Sequence, residues 1–395
     1  MFGERWDRIV AERGAQAALY LADGRATTFS ELDADARALK PTGDYVLAQG
    51  EVPQILRLLL AGFLHDVPVQ LVEKDRSRRI PASPPPAGTA LIKQAVGGSG
   101  VRRCQFFTFD QIAADVDRLH AALDLGSRGT GVAAISCAHS FGLTMTVLQT
   151  LLNGVPTCFA PQPFAQPLTE AMQHHRRVFL PGVPALWKAW LRGDVCFDNI
   201  SLAISAGSPL TLDLERMALE QHGLKIHNLY GTSECGAVSW DETLDLREDG
   251  SDIGTLLPGV QTQTDAEGRL VVSSSSVGLG YDDELPQENY GSGVFTTSDL
   301  VDQHGNHLRF EQCTGAGINV AGRKLSPAEI AEKIMRASKL DQVKIYGARS
   351  RDPERCQDIV AEIGLPQAEI DPAFKITACS LLAPWEVPRK WIGRS

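Results

Sequence analysis

The sequence predicts an α/β protein with a large N-terminal domain of parallel βαβ sheets, a β-rich subregion within it, and a small C-terminal α/β domain. Three observations predict this. Short apolar runs at 132–136, 155–160, 178–180 and 202–205 alternate with helical stretches at 139–154, 184–191 and 209–222, the rhythm of parallel βαβ units. After residue 236 the texture changes to short strands and turns, including 268–273 and the serine run ending at Ser276. Finally, the glycine-bearing segment Thr314-Gly315-Ala316-Gly317 reads as a hinge. Beyond it Ser326-Pro327-Ala328-Glu329 supplies an N-cap, a first-turn proline and a capping-box glutamate. The expected division is therefore 1–312 and 313–395.

With 395 residues the chain can bury a substantial core across two domains. A net charge of -10 with scattered basic residues argues against a nucleic-acid surface. The first residues lack a signal-peptide apolar region, and no apolar run is long enough to span a bilayer. The eight cysteines show no CxxC pair, so they read as reduced thiols of a cytoplasmic protein, and the nine dispersed histidines offer no zinc pattern.

Residues 6–75 open the fold. Ala26-Thr27-Thr28-Phe29-Ser30-Glu31-Leu32 reads as a strand entering a helix, 55–63 as an apolar helix and 67–72 as a strand. The proline-rich stretch 81–88 is a surface loop rather than a linker, because the same rhythm flanks it. Ala95-Val96-Gly97-Gly98-Ser99-Gly100-Val101-Arg102-Arg103 is a glycine-rich loop with a basic end. Its backbone N–H groups could approach phosphates, or it is simply a hairpin turn. Thr108 and Gln111 fit a capping box, with Ile112, Val116, Leu119 and Leu123 on one helix face.

The stretch Asn228-Leu229-Tyr230-Gly231-Thr232-Ser233-Glu234-Cys235-Gly236 gathers an aromatic, a tight-turn glycine, hydroxyls and a carboxylate. Lys225-Ile226-His227 before it reads as the end of a buried strand. A loop in that position is where open α/β sheets bind ligands; a carboxylate there can hold magnesium and the hydroxyls can meet phosphate. An ordinary strand-to-loop corner would also account for it.

Taken in order, these stretches resemble the adenylate-forming superfamily of acyl- and aryl-CoA synthetases, adenylation domains and luciferases, in a shortened and divergent form. Residues 97–103 lie where that family has a phosphate loop ending in lysine. Ala206-Gly207-Ser208-Pro209-Leu210 resembles the segment along the adenine, and Tyr230-Gly231-Thr232-Ser233-Glu234 the family's Tyr-Gly-x-Thr-Glu. Phe295-Thr296-Thr297-Ser298-Asp299 resembles the ribose-binding segment, and residues 318–330 the one following the hinge. The resemblance implies that Glu234 holds Mg2+, Ser233 contacts the α-phosphate, Tyr230 stacks on adenine and Asp299 binds the ribose. It implies that Arg103 replaces the loop lysine and that Ser99, Gly100, Ala206, Gly207, Ser208 and Gly231 line the nucleotide. His139 would stand beside the acyl pocket, or else be a satisfied core histidine. The pocket is expected along 139–144, 183–186, 206–207 and 229–233, mostly small or apolar, which suits an aromatic or medium-chain acid. The implied reaction uses ATP, Mg2+ and a carboxylic acid, with coenzyme A or carrier-protein phosphopantetheine as acceptor. An acyl carrier protein and a homodimer are both admitted as partners.

The departures are specific. Ala95, Val96 and Gly98 replace hydroxyls, and the hinge reads Gln312-Cys313-Thr314-Gly315 without the usual arginine and acid. Pro388-Arg389-Lys390-Trp391-Ile392-Gly393-Arg394 offers no lysine in the family's catalytic place. Two readings follow: an active ligase in which Arg103 or Lys390 supplies the charge, or a non-adenylating relative that binds nucleotide, acyl thioester or carrier protein.

Overall fold

Parallel pairing begins where the alternation was clearest. The computed structural model describes residues 2–74, 78–96, 100–283 and 290–394. Thr157–Phe159, Thr130–Ala133, Val178–Gly182, Ile200–Ser205 and Ile226–Thr232 lie side by side in that order, all parallel, with Ala17–Tyr20 added parallel beyond Thr157–Phe159 and Ala26–Thr28 antiparallel at the edge. These strands are buried on both faces, which is why their sequences run apolar without alternation.

The β-rich subregion is not a unit packed beside this sheet, as the change in texture had suggested. From Ile226–Thr232 the hydrogen bonding passes antiparallel to Gly236–Trp240, Asp252–Leu256, His307–Cys313, Val294–His304, Arg269–Ser273 and Gln261–Thr264. The two textures are one continuous sheet, and the change from parallel to antiparallel pairing falls at the chemistry-bearing stretch.

A second sheet holds Val46–Gln49, Val69–Val72, Thr89–Val96, Arg102–Thr108 and Gly280–Tyr281. The strands on either side of the glycine-rich stretch pair antiparallel, with Ala95 opposite Arg103 and Val96 opposite Arg102, while residues 97–99 lie outside the described residues. The proline-rich stretch is a loop, tied down where Ala82 N donates to Asp282 Oδ2 at 2.8 Å. Helix Phe109–Ala122 starts on the expected Thr108–Gln111 capping box. Helices end on left-handed glycines at Gly154 and Gly223, where a residue without Cβ adopts positive φ at no cost.

Residues 318–394 gather their own core around Ile318, Ile330, Ile334 and Ile359. They comprise the hairpin Ile318–Val320 and Arg323–Leu325, the helix Pro327–Ser338, and the sheet of Val343–Arg349, Gln357–Pro366 and Lys390–Arg394. Ser326 caps the helix by accepting from Glu329 N, but the Glu329 carboxylate does not close the expected box; it takes Arg102 Nε at 2.7 Å instead. An ion pair with a residue brought from the glycine-rich stretch outcompetes a local cap. No helix among the described residues is long and apolar enough to cross a membrane.

Candidate active site

The strand from Ile226 does not end at His227 but runs on to Thr232, so Tyr230 and Gly231 belong to it. Ser233, Glu234 and Cys235 form the turn into Gly236–Trp240. Gly231 lies against the Gly236 carbonyl with no space for a Cβ, which explains glycine at that position. Asp115 clamps the turn from below, accepting from Ala237 N at 2.9 Å. Burial raises the Asp115 pKa, partly countered by that backbone donor and by Arg118.

The turn points Glu234 inward, where it is 5% exposed. Its Oε1 accepts from Tyr281 OH at 2.6 Å and from Gln105 Nε2 at 2.9 Å, while Oε2 takes no hydrogen bond from the described residues. Tyr230 OH donates to Asp299 Oδ2 at 2.8 Å, joining two stretches 69 residues apart. Burial, and then the Asp299 charge, raise the Tyr230 pKa, so it remains a donor. Tyr230, Ser233 and Glu234 thus lie along one strand and its turn, and Tyr230 ties Asp299 to them.

Arg103 lies 3.6 Å over the Tyr281 ring and pairs with Asp283 at 3.3 Å, and Tyr281 in turn donates to Glu234. Gly100 packs on Ala316; Ser99 lies outside the described residues. Ala206 N donates to Gly182 O at 3.3 Å, and Gly207, at φ +86°, faces Val183 and Gly322. The Ser208 hydroxyl is buried and makes no hydrogen bond among the described residues. His139 is no core histidine: its side chain is 44% exposed, with Nε2 3.5 Å from Glu73 Oε1. Glu73 also pairs with Arg323, so the expected pocket edge meets the C-terminal hairpin there.

Sequence reasoning missed Lys93. It stands in the apolar strand Thr89–Val96, donating to Ser233 O at 2.8 Å and Ser140 Oγ at 2.9 Å, with Nζ 3.8 Å over Phe107. It therefore ties the Glu234 turn to the helix that follows His139. A cavity of about 20 Å³, enough for one water, separates it from Asp115 and Thr144. The available signal was a lysine directly after the apolar run Ala90-Leu91-Ile92. Burial lowers its pKa to about 8 against the pull of Asp115, Glu234 and Cys235. Between pH 8 and the ordinary lysine value of 10.5 the unfolded chain holds a proton that the folded chain has released, so stability rises with pH there. Unfolding free energies from pH 7 to 10.5 are expected to rise by about 3 kcal/mol in the wild type relative to Lys93→Met. Parallel curves for the two proteins would rule this out.

Among the described residues no three His, Cys, Asp or Glu side chains gather as a metal site. The donor set still fits magnesium, which keeps few protein ligands and completes its shell with water and phosphate oxygens. The unengaged Oε2 of Glu234 is the oxygen that would hold it.

Residues 89–281 match the family model described as AMP-binding enzyme. A long-chain-fatty-acid–CoA ligase of Yersinia pestis is 23% identical over 284 residues, 66% of this chain and 50% of that protein, so the chain spans about half the length of this curated relative. Among solved structures, o-succinylbenzoate CoA synthetase from Bacillus subtilis superposes with a TM-score of 0.82 at 14% identity, covering 99% of this chain and 94% of that one. The amide bond synthetase McbA from Marinactinospora thermotolerans gives 0.79 at 18% identity, covering 99% and 95%. The shared fold extends over nearly the whole chain.

Proposed function

We propose that this chain, a divergent relative of the adenylate-forming enzymes with an AMP-binding enzyme domain over 89–281, activates a carboxylic acid through an acyl-adenylate and passes the acyl group to a thiol. The observation that carries this reading is the bond from Tyr230 to Asp299 on the strand whose turn buries Glu234. A scaffold has no need of a ribose-type carboxylate and a metal-type carboxylate joined to one strand and its turn. Asp299 takes the ribose hydroxyls, Tyr230 lies along the base, Ser233 meets the α-phosphate, and Glu234 holds magnesium. Bound there, the ion would neutralise phosphate charge. The acid occupies the region between His139, Val183 and Gly207, suited to an aryl or medium-chain acyl group, and coenzyme A or a carrier-protein phosphopantetheine is the acceptor.

In this reading 1–312 binds nucleotide and acid, and 313–395 moves about the segment at 314–317. The pairs Arg102–Glu329, Arg323–Glu73 and Lys188 with Asp352 and Glu354 span that boundary and hold the small unit in its present pose.

One observation favours a second reading. Both arginines at the basic end of the glycine-rich stretch are engaged by carboxylates, Glu329 and Asp283. A protein that binds nucleotide or acyl thioester without adenylating would tolerate that arrangement. Pyrophosphate release with ATP, magnesium and a panel of aryl and fatty acids, with hydroxylamine as trap, separates the two. Acid-dependent release and a hydroxamate are expected; folded protein with no release from any acid would favour the second reading.

A further inference from the structure

The carbonyls of Ser233, Glu234 and Cys235 are all taken. Ser276 Oγ donates to Cys235 O at 2.7 Å and Gly278 N to Glu234 O at 3.0 Å, both from one stretch of chain. Ser233 O is taken from elsewhere, by Lys93 Nζ at 2.8 Å. The same ammonium donates to Ser140 Oγ at 2.9 Å and lies 3.8 Å over the Phe107 ring. Ser140 opens the helical stretch that follows His139, which winds as a π-helix from Leu143 to Val147 through the region where the acid is placed above. Lys93 is 8% exposed, and among the described residues no carboxylate forms an ion pair with it. A methionine would fill the same space without the cost of burying an ammonium. What the lysine adds over an apolar side chain is the pair of hydrogen bonds that joins the turn to that helix.

We propose that Lys93 is a positioning residue that fixes the acid pocket against the α-phosphate, by holding Ser140 and Ser233 on one ammonium. The inference rests on the ligase reading above, in which Ser233 meets the α-phosphate and the acid lies beside His139. In the adenylation step an acid oxygen bonds to the α-phosphorus, the bond to the bridging oxygen breaks, and pyrophosphate leaves with that electron pair. Attack needs the acid oxygen in line with the breaking bond, and a displacement of about 1 Å between the reactants costs about a hundredfold in rate. Lys93 touches neither reactant and keeps its proton; its two hydrogen bonds set the separation of the elements that hold them. The far end of the turn is fixed independently, where Asp115 accepts from Ala237 N at 2.9 Å. Loss of Lys93 therefore frees the Ser233 end while the other stays held.

The test separates turnover from binding. Pyrophosphate release is followed with ATP, magnesium and whichever acid of the aryl and fatty-acid panel is released fastest, and AMP affinity is measured by calorimetry. Lys93→Met is expected to lower kcat about ten- to hundredfold, while KM for ATP and the AMP affinity stay at their wild-type values. Ser140→Ala removes one of the two bonds and is expected to lower kcat about three- to tenfold. The double variant is expected to fall no further than Lys93→Met, because the Ser140 hydroxyl acts through the ammonium. A wild-type kcat in Lys93→Met, a matching loss of AMP affinity, or independent, multiplying effects of the two substitutions overturns the role and leaves the ligase reading standing. A folded wild type that releases no pyrophosphate with any acid overturns both. Melting curves at pH 7 show whether each variant is folded; should Lys93→Met fail to fold, an unchanged kcat in Ser140→Ala overturns the role by itself.

Discussion

Glu234→Gln is expected to lower acid-dependent pyrophosphate release by about a thousandfold or more, because it removes the negative charge that would hold magnesium against the phosphates. The glutamine is the informative replacement. Glu234 Oε1 accepts from Tyr281 and Gln105 in a buried setting, and an amide oxygen can continue to do so. Glu234→Ala would remove the same charge and also leave both donors without an acceptor, at a stability cost of about 1–3 kcal/mol. Release assays and thermal melts on both variants separate these effects. A near-normal rate in Glu234→Gln with wild-type stability would end the metal assignment.

Glu215→Ala is expected to destabilise the protein by about 3–5 kcal/mol. Glu215 is fully buried and serves two cations at once, Lys225 and Arg247, the latter at 2.9 Å. Arg247 also donates to Leu210 O at 2.6 Å, and Lys225 pairs with Asp241 Oδ2 at 2.7 Å. Breaking a buried pair by removing one partner leaves an uncompensated charge, which costs far more than replacing the whole group with apolar residues. Arg247 would be that charge, since Asp241 still serves Lys225. Lys225 directly precedes the strand Ile226–Thr232 that carries Tyr230, so the network braces that strand. Urea unfolding should show a lower midpoint for Glu215→Ala, with Glu215→Gln intermediate; a midpoint equal to the wild type would mean the buried network contributes nothing net.

What the sequence alone determined is the local chemistry of the backbone. Thr28 with Glu31 and Thr108 with Gln111 cap helices as their spacing required, and Gly154 and Gly223 close helices in the left-handed conformation. Such features are complete within one turn and form wherever no distant charge takes the capping side chain away. Apolar runs located the parallel strands, and the resemblance singled out Tyr230 and Asp299, which the fold brings into hydrogen-bond contact. Tertiary structure decided which partner each long charged side chain takes. Glu329 caps nothing with its carboxylate because Arg102 reaches it first, and Arg103 settles against Tyr281 and Asp283. Lys93 acquires its place only when Ser233 is brought beside it from far along the chain. A charged head on a flexible stem settles wherever desolvation is best compensated. That compensation depends on groups more than a hundred residues away, which no local pattern encodes.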